Sequence, residues 1–147
     1  MADNGRPDFE KTLARLAEFM GWDRADIEPH LARFLLRRDE QDEQEVLVFN
    51  TGGRADFLIP SGMAFEAEED VLGDISTELL QRNAELVYGA WTLVELDEVY
   101  SYTVYWPAAL EELAAMPPEI FARRIKALLK ECADFDETWS SFDWDEG

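Results

Sequence analysis

The single histidine, His30, and the single cysteine, Cys132, are the residues best suited to acid–base or nucleophilic chemistry. A Cys–His or Ser–His–Asp device needs its base held within hydrogen-bonding reach of the nucleophile. His30 follows Pro29, and no local signature joins it to a serine or to Cys132. His30 therefore reads as a structural or surface residue, and Cys132, on an apolar helical stripe, as a small hydrophobe. One His and one Cys cannot build a zinc site without several carboxylates. The acidic run Glu66, Glu68, Glu69 and Asp70 lacks the alternating ligands and central glycine of an EF-hand, and reads as a solvated helix start. Thr51-Gly52-Gly53-Arg54 lacks the Lys-Ser/Thr ending and following helix of a phosphate loop, and reads as a hairpin turn. A carboxylate pair for glycoside chemistry cannot be singled out among 33 acids. The expectation is a protein that is not an enzyme and carries no metal or cofactor.

The bulk composition points toward binding. The chain has 147 residues, a length suited to one core, and 47% of them are hydrophobic, including nine Phe, five Trp and four Tyr. Thirteen Lys+Arg against 33 Asp+Glu leave a formal net charge of -20. Phosphate backbones and anionic lipid repel such a surface, so neither nucleic acid nor membrane is an expected partner. A basic protein is the favoured kind, and solubility alone is the competing explanation. One cysteine permits no internal disulfide, the polar start Met1 to Pro7 has no apolar signal core, and no apolar run reaches the roughly 20 residues of a membrane span. The expected location is the cytoplasm.

The periodicity predicts the elements that position any site. Phe9, Leu13, Leu16 and Met20 share one face of a first helix, with Asp8 as N-cap, Gly21 as C-terminal stop and Trp22 folding back on the core. His30 to Arg38 reads as a strand, with a helical alternative. Val46 to Phe49 and Phe57 to Ile59 flank the Thr51–Arg54 turn, and Pro60-Ser61-Gly62 should end the return strand. Val71, Leu72, Ile75, Leu79 and Leu80 form the stripe of a second helix. Leu86 to Leu96 and Val99 to Trp106 read as strands joined at Asp97-Glu98 and ended at Pro107. Ala108 to Ala115 reads as a short helix. A last helix opens at Pro117-Pro118-Glu119, burying Ile120, Phe121, Ile125, Leu128, Leu129 and Cys132, with Arg123, Arg124, Lys126 and Lys130 toward its end. The predicted class is α+β, an antiparallel sheet with helices packed on it, in the order α-β-β-β-α-β-β-α. Residues 1–7 form a leader, 8–133 one domain, and 134–147 an acidic tail carrying aromatics.

Two stretches carry a resemblance. Asn83-Ala84-Glu85-Leu86-Val87-Tyr88-Gly89-Ala90-Trp91-Thr92 links a helix to a strand, and Met116-Pro117-Pro118-Glu119-Ile120-Phe121 leads into the final helix. Over most of residues 8–134 the chain resembles the YbjN-like proteins and their cyanobacterial relatives, which share the fold of type III secretion chaperones. The resemblance implies the same element order, a homodimer and regulatory or chaperone-like protein binding. It implies no catalytic residues.

These readings leave three functions. The first is a dimeric protein-binding domain with a chaperone-like or regulatory role. Its candidate dimer contacts are Val71, Ile75 and Leu79, which suit either a two-fold or the underside of the sheet. Its candidate partner contacts include Tyr105 and Trp106, on an aromatic strand that also suits plain sheet packing. The second is an adaptor or assembly factor whose acidic tail presents Trp139, Phe142 and Trp144 to a basic partner, unless those aromatics dock on their own domain. The third is a small-ligand-binding or enzymatic α+β domain, which would need a deep pocket with converging polar groups.

Overall fold

A computed structural model of the chain describes residues 8–22, 26–37, 43–66, 72–86, 89–96 and 99–140. The helix α1 (Phe9–Met20) starts where expected, because the Asp8 carboxylate accepts the Lys11 N–H at 2.9 Å. Gly21 stops it at φ 78°, and Trp22 turns back so that its ring lies 5.0 Å from that of Phe34.

Strands β1 (Leu31–Arg37), β2 (Glu43–Asn50) and β3 (Arg54–Glu66) form an antiparallel meander. The first segment is therefore a strand, not a helix. Gly52 and Gly53, at φ 66° and 96°, close the two-residue turn between β2 and β3. Helix α2 (Leu72–Asn83) comes next, then β4 (Ala90–Leu96) and β5 (Val99–Ala109), then α3 (Leu110–Ala115) and α4 (Pro118–Ser140). The sheet order is β1-β2-β3-β5-β4, so β1 and β4 are its edges.

The described helices pack on one face of this sheet. Their buried residues join Phe34, Val46, Val48, Phe57, Ile59, Trp91, Tyr102, Val104 and Trp106 in one core. These strand residues recur at spacing two, as the side-chain alternation of a half-buried sheet requires.

Several element ends differ from the sequence-based expectation. β3 runs through Pro60, which pairs with Thr103, and the register shifts between Pro60 and Ala64. Proline is tolerated at such an irregularity because the ladder is already broken there. Glu66 accordingly lies at the end of β3 opposite Val99, not in a helix start, and residues 67–71 lie outside the described residues. β4 begins at Ala90 instead of Leu86. Gly89, at φ 66°, brings the backbone so close to β5 that a Cβ there would lie 2.6 Å from the Tyr105 carbonyl oxygen. β5 passes Pro107 to Ala109, because β4 starts only opposite Tyr105 and leaves Pro107 with a neighbour on one side.

The largest difference concerns the C-terminal region. α4 does not end near Cys132 but continues to Ser140. Phe135 is fully buried, extending the stripe Phe121, Ile125, Leu128 and Cys132 by one more helical step. Its ring lies 4.6 Å from Trp91 and 6.2 Å from Tyr102. The basic residues Arg123 to Lys130 thus sit in the middle of the helix, whose last turn has none.

Phe135→Ala should cost about 3–5 kcal/mol of unfolding free energy in a denaturant titration, as expected for a truncated core aromatic. A cost below about 1 kcal/mol would place Phe135 outside the core.

Candidate functional site

The face of the sheet opposite the helices is the first candidate surface. Cross-strand register aligns Arg33, Leu47, Leu58, Tyr105 and Ala90 in one row across five strands. Leu31 pairs with Phe49 beside this row. Leu47, Leu58, Tyr105, Leu31 and Phe49 are all half-buried, and Leu35 is 55% exposed. Among the described residues no helix packs over them. Polar pairs frame the strip: Arg33 with Glu45, and Arg54 with Asp56 through two hydrogen bonds of 2.6 and 3.0 Å. The hydrogen bonds and charge of Asp56 hold the Arg54 pKa above the ordinary arginine value.

The free edge of β4 is the second candidate. Helix α2 ends beside it, and the Asn83 amide takes both backbone groups of Trp91. Its Oδ1 accepts the Trp91 N–H at 2.6 Å, and its Nδ2 donates to the Trp91 carbonyl at 3.3 Å. Next to it opens an apolar groove of about 180 Å³, lined by Leu79, Leu80, Trp91, Leu93 and Tyr102. Leu80 is 72% and Leu93 42% exposed, two of the exposed large hydrophobics among the described residues.

A polar cleft lies on the other side of α2, lined by Glu78, Arg82, Glu85, Glu131 and Thr138. Its polar groups are turned on one another. Arg82 donates to Glu78 at 3.1 Å and to Glu131 at 3.0 Å, and Glu131 also accepts the Trp91 indole N–H at 2.8 Å. Burial opposes the charge on Arg82, but the hydrogen bonds to Glu131 and Glu78 outweigh it and raise the Arg82 pKa. These bonds tie α2, β4 and α4 together, which is a structural task.

The sequence-derived candidates separate on the structure. Tyr105 lies half-buried on the open face. Trp106 does not: it is buried, stacked on Phe57 at 4.9 Å and near Phe121 at 6.1 Å, because one step along the strand reverses the side chain. Leu79 is also in the core, at 4% exposure, so of the two sites open to it, it takes the underside of the sheet. Val71, Phe142 and Trp144 lie outside the described residues, and of Ile75 and Trp139 only the helical backbone is described. His30 is an exposed bend residue whose carbonyl accepts the Asn50 N–H at 3.0 Å, whereas Cys132 is buried with its Sγ 3.5 Å from the Gln44 side-chain oxygen. The two are not assembled into a catalytic pair. Among the described residues no three His, Cys, Asp or Glu side chains converge as metal ligands would, and no helix is long and apolar enough to cross a membrane.

Sequence reasoning missed Leu47, Phe49 and Leu58 as surface residues, since an apolar residue on an alternating strand reads as core. It missed Asn83 and Leu93 because an edge is defined only by the strand order. The exposure of Leu80 had no distinguishing signal within its stripe.

No family model matches the chain, and no curated protein matches it. Among solved structures it is similar to the crystal structure of YbjN from E. coli, a proposed transcription regulator. The TM-score is 0.61, at 12% identity over 90% of this chain and 91% of that one. This chain has a YbjN-like fold. At such identity the likeness concerns architecture alone: a five-stranded antiparallel sheet with helices, in the expected order.

Glu131→Ala removes the acceptor shared by Arg82 and Trp91 inside this YbjN-like fold. Its expected cost is about 1–3 kcal/mol by denaturant titration, with a loosened α2 seen as faster amide exchange over residues 77–83. Unchanged stability would show that the contact does not hold α2 in place.

Proposed function

We propose that this domain is a non-enzymatic protein-binding module with a regulatory or chaperone-like role, working in the cytoplasm as a homodimer. The observation that carries this reading is the open apolar sheet face built from Leu31, Leu47, Phe49, Leu58 and Tyr105. A contiguous apolar strip of this kind, framed by ion pairs, marks a surface made to meet protein.

The dimer we propose joins two such faces across a two-fold, as sheets pack in sandwiches. Each side supplies the same strip, and the Arg33–Glu45 and Arg54–Asp56 pairs at its margins add no net charge to a contact between two chains of charge -20. The likeness to YbjN, itself a proposed transcription regulator, supports a regulatory role. The negative charge argues that such regulation would run through protein contacts and not through this chain's own grip on DNA.

Sedimentation equilibrium on the full chain tests this. The parent should sediment as a dimer whose association strengthens with added salt, because screening weakens the repulsion. Leu58→Asp should yield a folded monomer, with the fold checked by circular dichroism. A parent that stays monomeric at about 100 μM, weaker than dimers that form at ordinary concentrations, would overturn the homodimer. A dimer untouched by Leu58→Asp would move it to another face.

A further inference from the structure

We propose that the free edge of β4 receives an added strand from a basic segment of a partner protein, with Asn83 fixing how far that strand can pair. This deepens the protein-binding reading above by naming the partner's chemistry and the groups that meet it.

The backbone geometry comes first. Trp91 directs its N–H and C=O away from β5, since both are taken by Asn83. Along an antiparallel strand these outward groups recur at every second residue. Leu93 and Glu95, which pair with Tyr102 and Tyr100 on the inner side, therefore present theirs on the same outer edge. Among the described residues β4 is the last strand of the sheet order, so these groups form a template for one more strand. The Asn83 amide occupies the position that a further residue of an incoming strand would need at Trp91. It acts as a stop, restricting pairing to the part of β4 from Leu93 through Glu95 to its C-terminal end.

The side chains then specify the occupant. Leu93 and Glu95 project to the helix-bearing side, next to the groove of Leu79, Leu80, Trp91 and Tyr102. An incoming strand would lay one apolar side chain in that groove and, two residues away on the same side, a residue opposite Glu95. Glu95 is exposed, and the chain as a whole carries -20, so that residue is Lys or Arg. A second copy of β4 fits worse. Centring the two-fold on Glu95 would oppose two carboxylates, and centring it on Leu93 would need the backbone of Trp91 that Asn83 holds.

The test is an NMR titration of the 15N-labelled full chain with the peptide Thr-Lys-Thr-Leu-Thr-Lys-Thr, whose lysines flank the leucine in either strand direction. Saturable shifts should appear at the Leu93 and Glu95 amides and at Leu80, and should weaken with salt. The same peptide with Glu in place of both Lys should bind at least about fivefold more weakly, the scale of one or two exposed ion pairs. Glu95→Lys should invert that preference. In Asn83→Ala the Trp91 amide should join the shifted set, the signature of a removed stop that a merely structural Asn83 would not give. No saturable shift up to about 5 mM, beyond the weakest useful affinity, would overturn the proposal. So would shifts confined to the open face, or conversion of a parent dimer to monomer by Leu93→Lys, which would make β4 the seam between copies. The Leu58→Asp result bears on the homodimer alone, so the two readings can fail separately.

Discussion

The packing of α4 across β3 and β5 through an aromatic layer is the contact on which the rest of this molecule depends. Phe121 sits 5.8 Å from Phe57 and 6.1 Å from Trp106, with Trp22 closing the layer at 6.2 Å. Fourteen residues along the same helix, Phe135 meets Trp91 and Tyr102. Each such ring buries a large apolar area, and tilted or offset pairs add to it. The helix therefore fixes both ends of the sheet at once, from the β1–β2 side to the β4 edge. Arg82 adds a guanidinium 5.8 Å from the centre of the Phe135 ring, linking α2 to the same layer.

This arrangement makes the molecule two-layered, and two layers leave one sheet face over. Parallel sheets in layered folds are covered on both sides, but an antiparallel sheet can keep one face toward water. Here polar residues such as Thr92, Ser101 and Thr103 clothe only part of that face. Leu47, Leu58 and Tyr105 lie in register across its centre, while charged side chains are drawn to its margins. The formal charge of -20 makes copies of the chain repel one another, which opposes indiscriminate association through the strip. A binding role fits this division of labour. The polar cleft beside α2 fits it too, since its own Arg82–Glu131 bonds occupy the groups that a ligand would need.

The two sheet edges differ in the same spirit. β1 is covered in part by the chain before it: Ile27 forms an antiparallel bridge with Ala32, and the Arg33 N–H donates to the Asp26 carbonyl at 3.1 Å. β4, with the sequence AWTLVEL, has a single charge. Its protection comes from α2, whose last residue, Asn83, supplies one strand-like pair of hydrogen bonds to Trp91 and goes no further.

Local signals alone determined much of this protein. Asp8, Gly21 and the Gly52-Gly53 turn act within a few residues of themselves, so the start of α1, its end and the first hairpin were legible without knowing any distant contact. Helical and strand periods likewise sufficed for the element order and for the buried stripe of α4 up to Cys132. The next step of that stripe, Phe135, was legible in principle but hidden among acids that made residues 134–140 look like a tail. Features that depended on long-range pairing were not legible. Pro60 and Pro107 read as strand ends because proline forfeits a ladder bond, and only the bulge in β3 and the missing neighbour of β5 made them harmless. That Trp106 is core while Tyr105 faces the open side follows from the register with β3. That β4 is an edge follows from the order in which five strands assemble. A strand's sequence sets the alternation of its side chains, whereas the third dimension decides which side is covered and which strand is left without a neighbour.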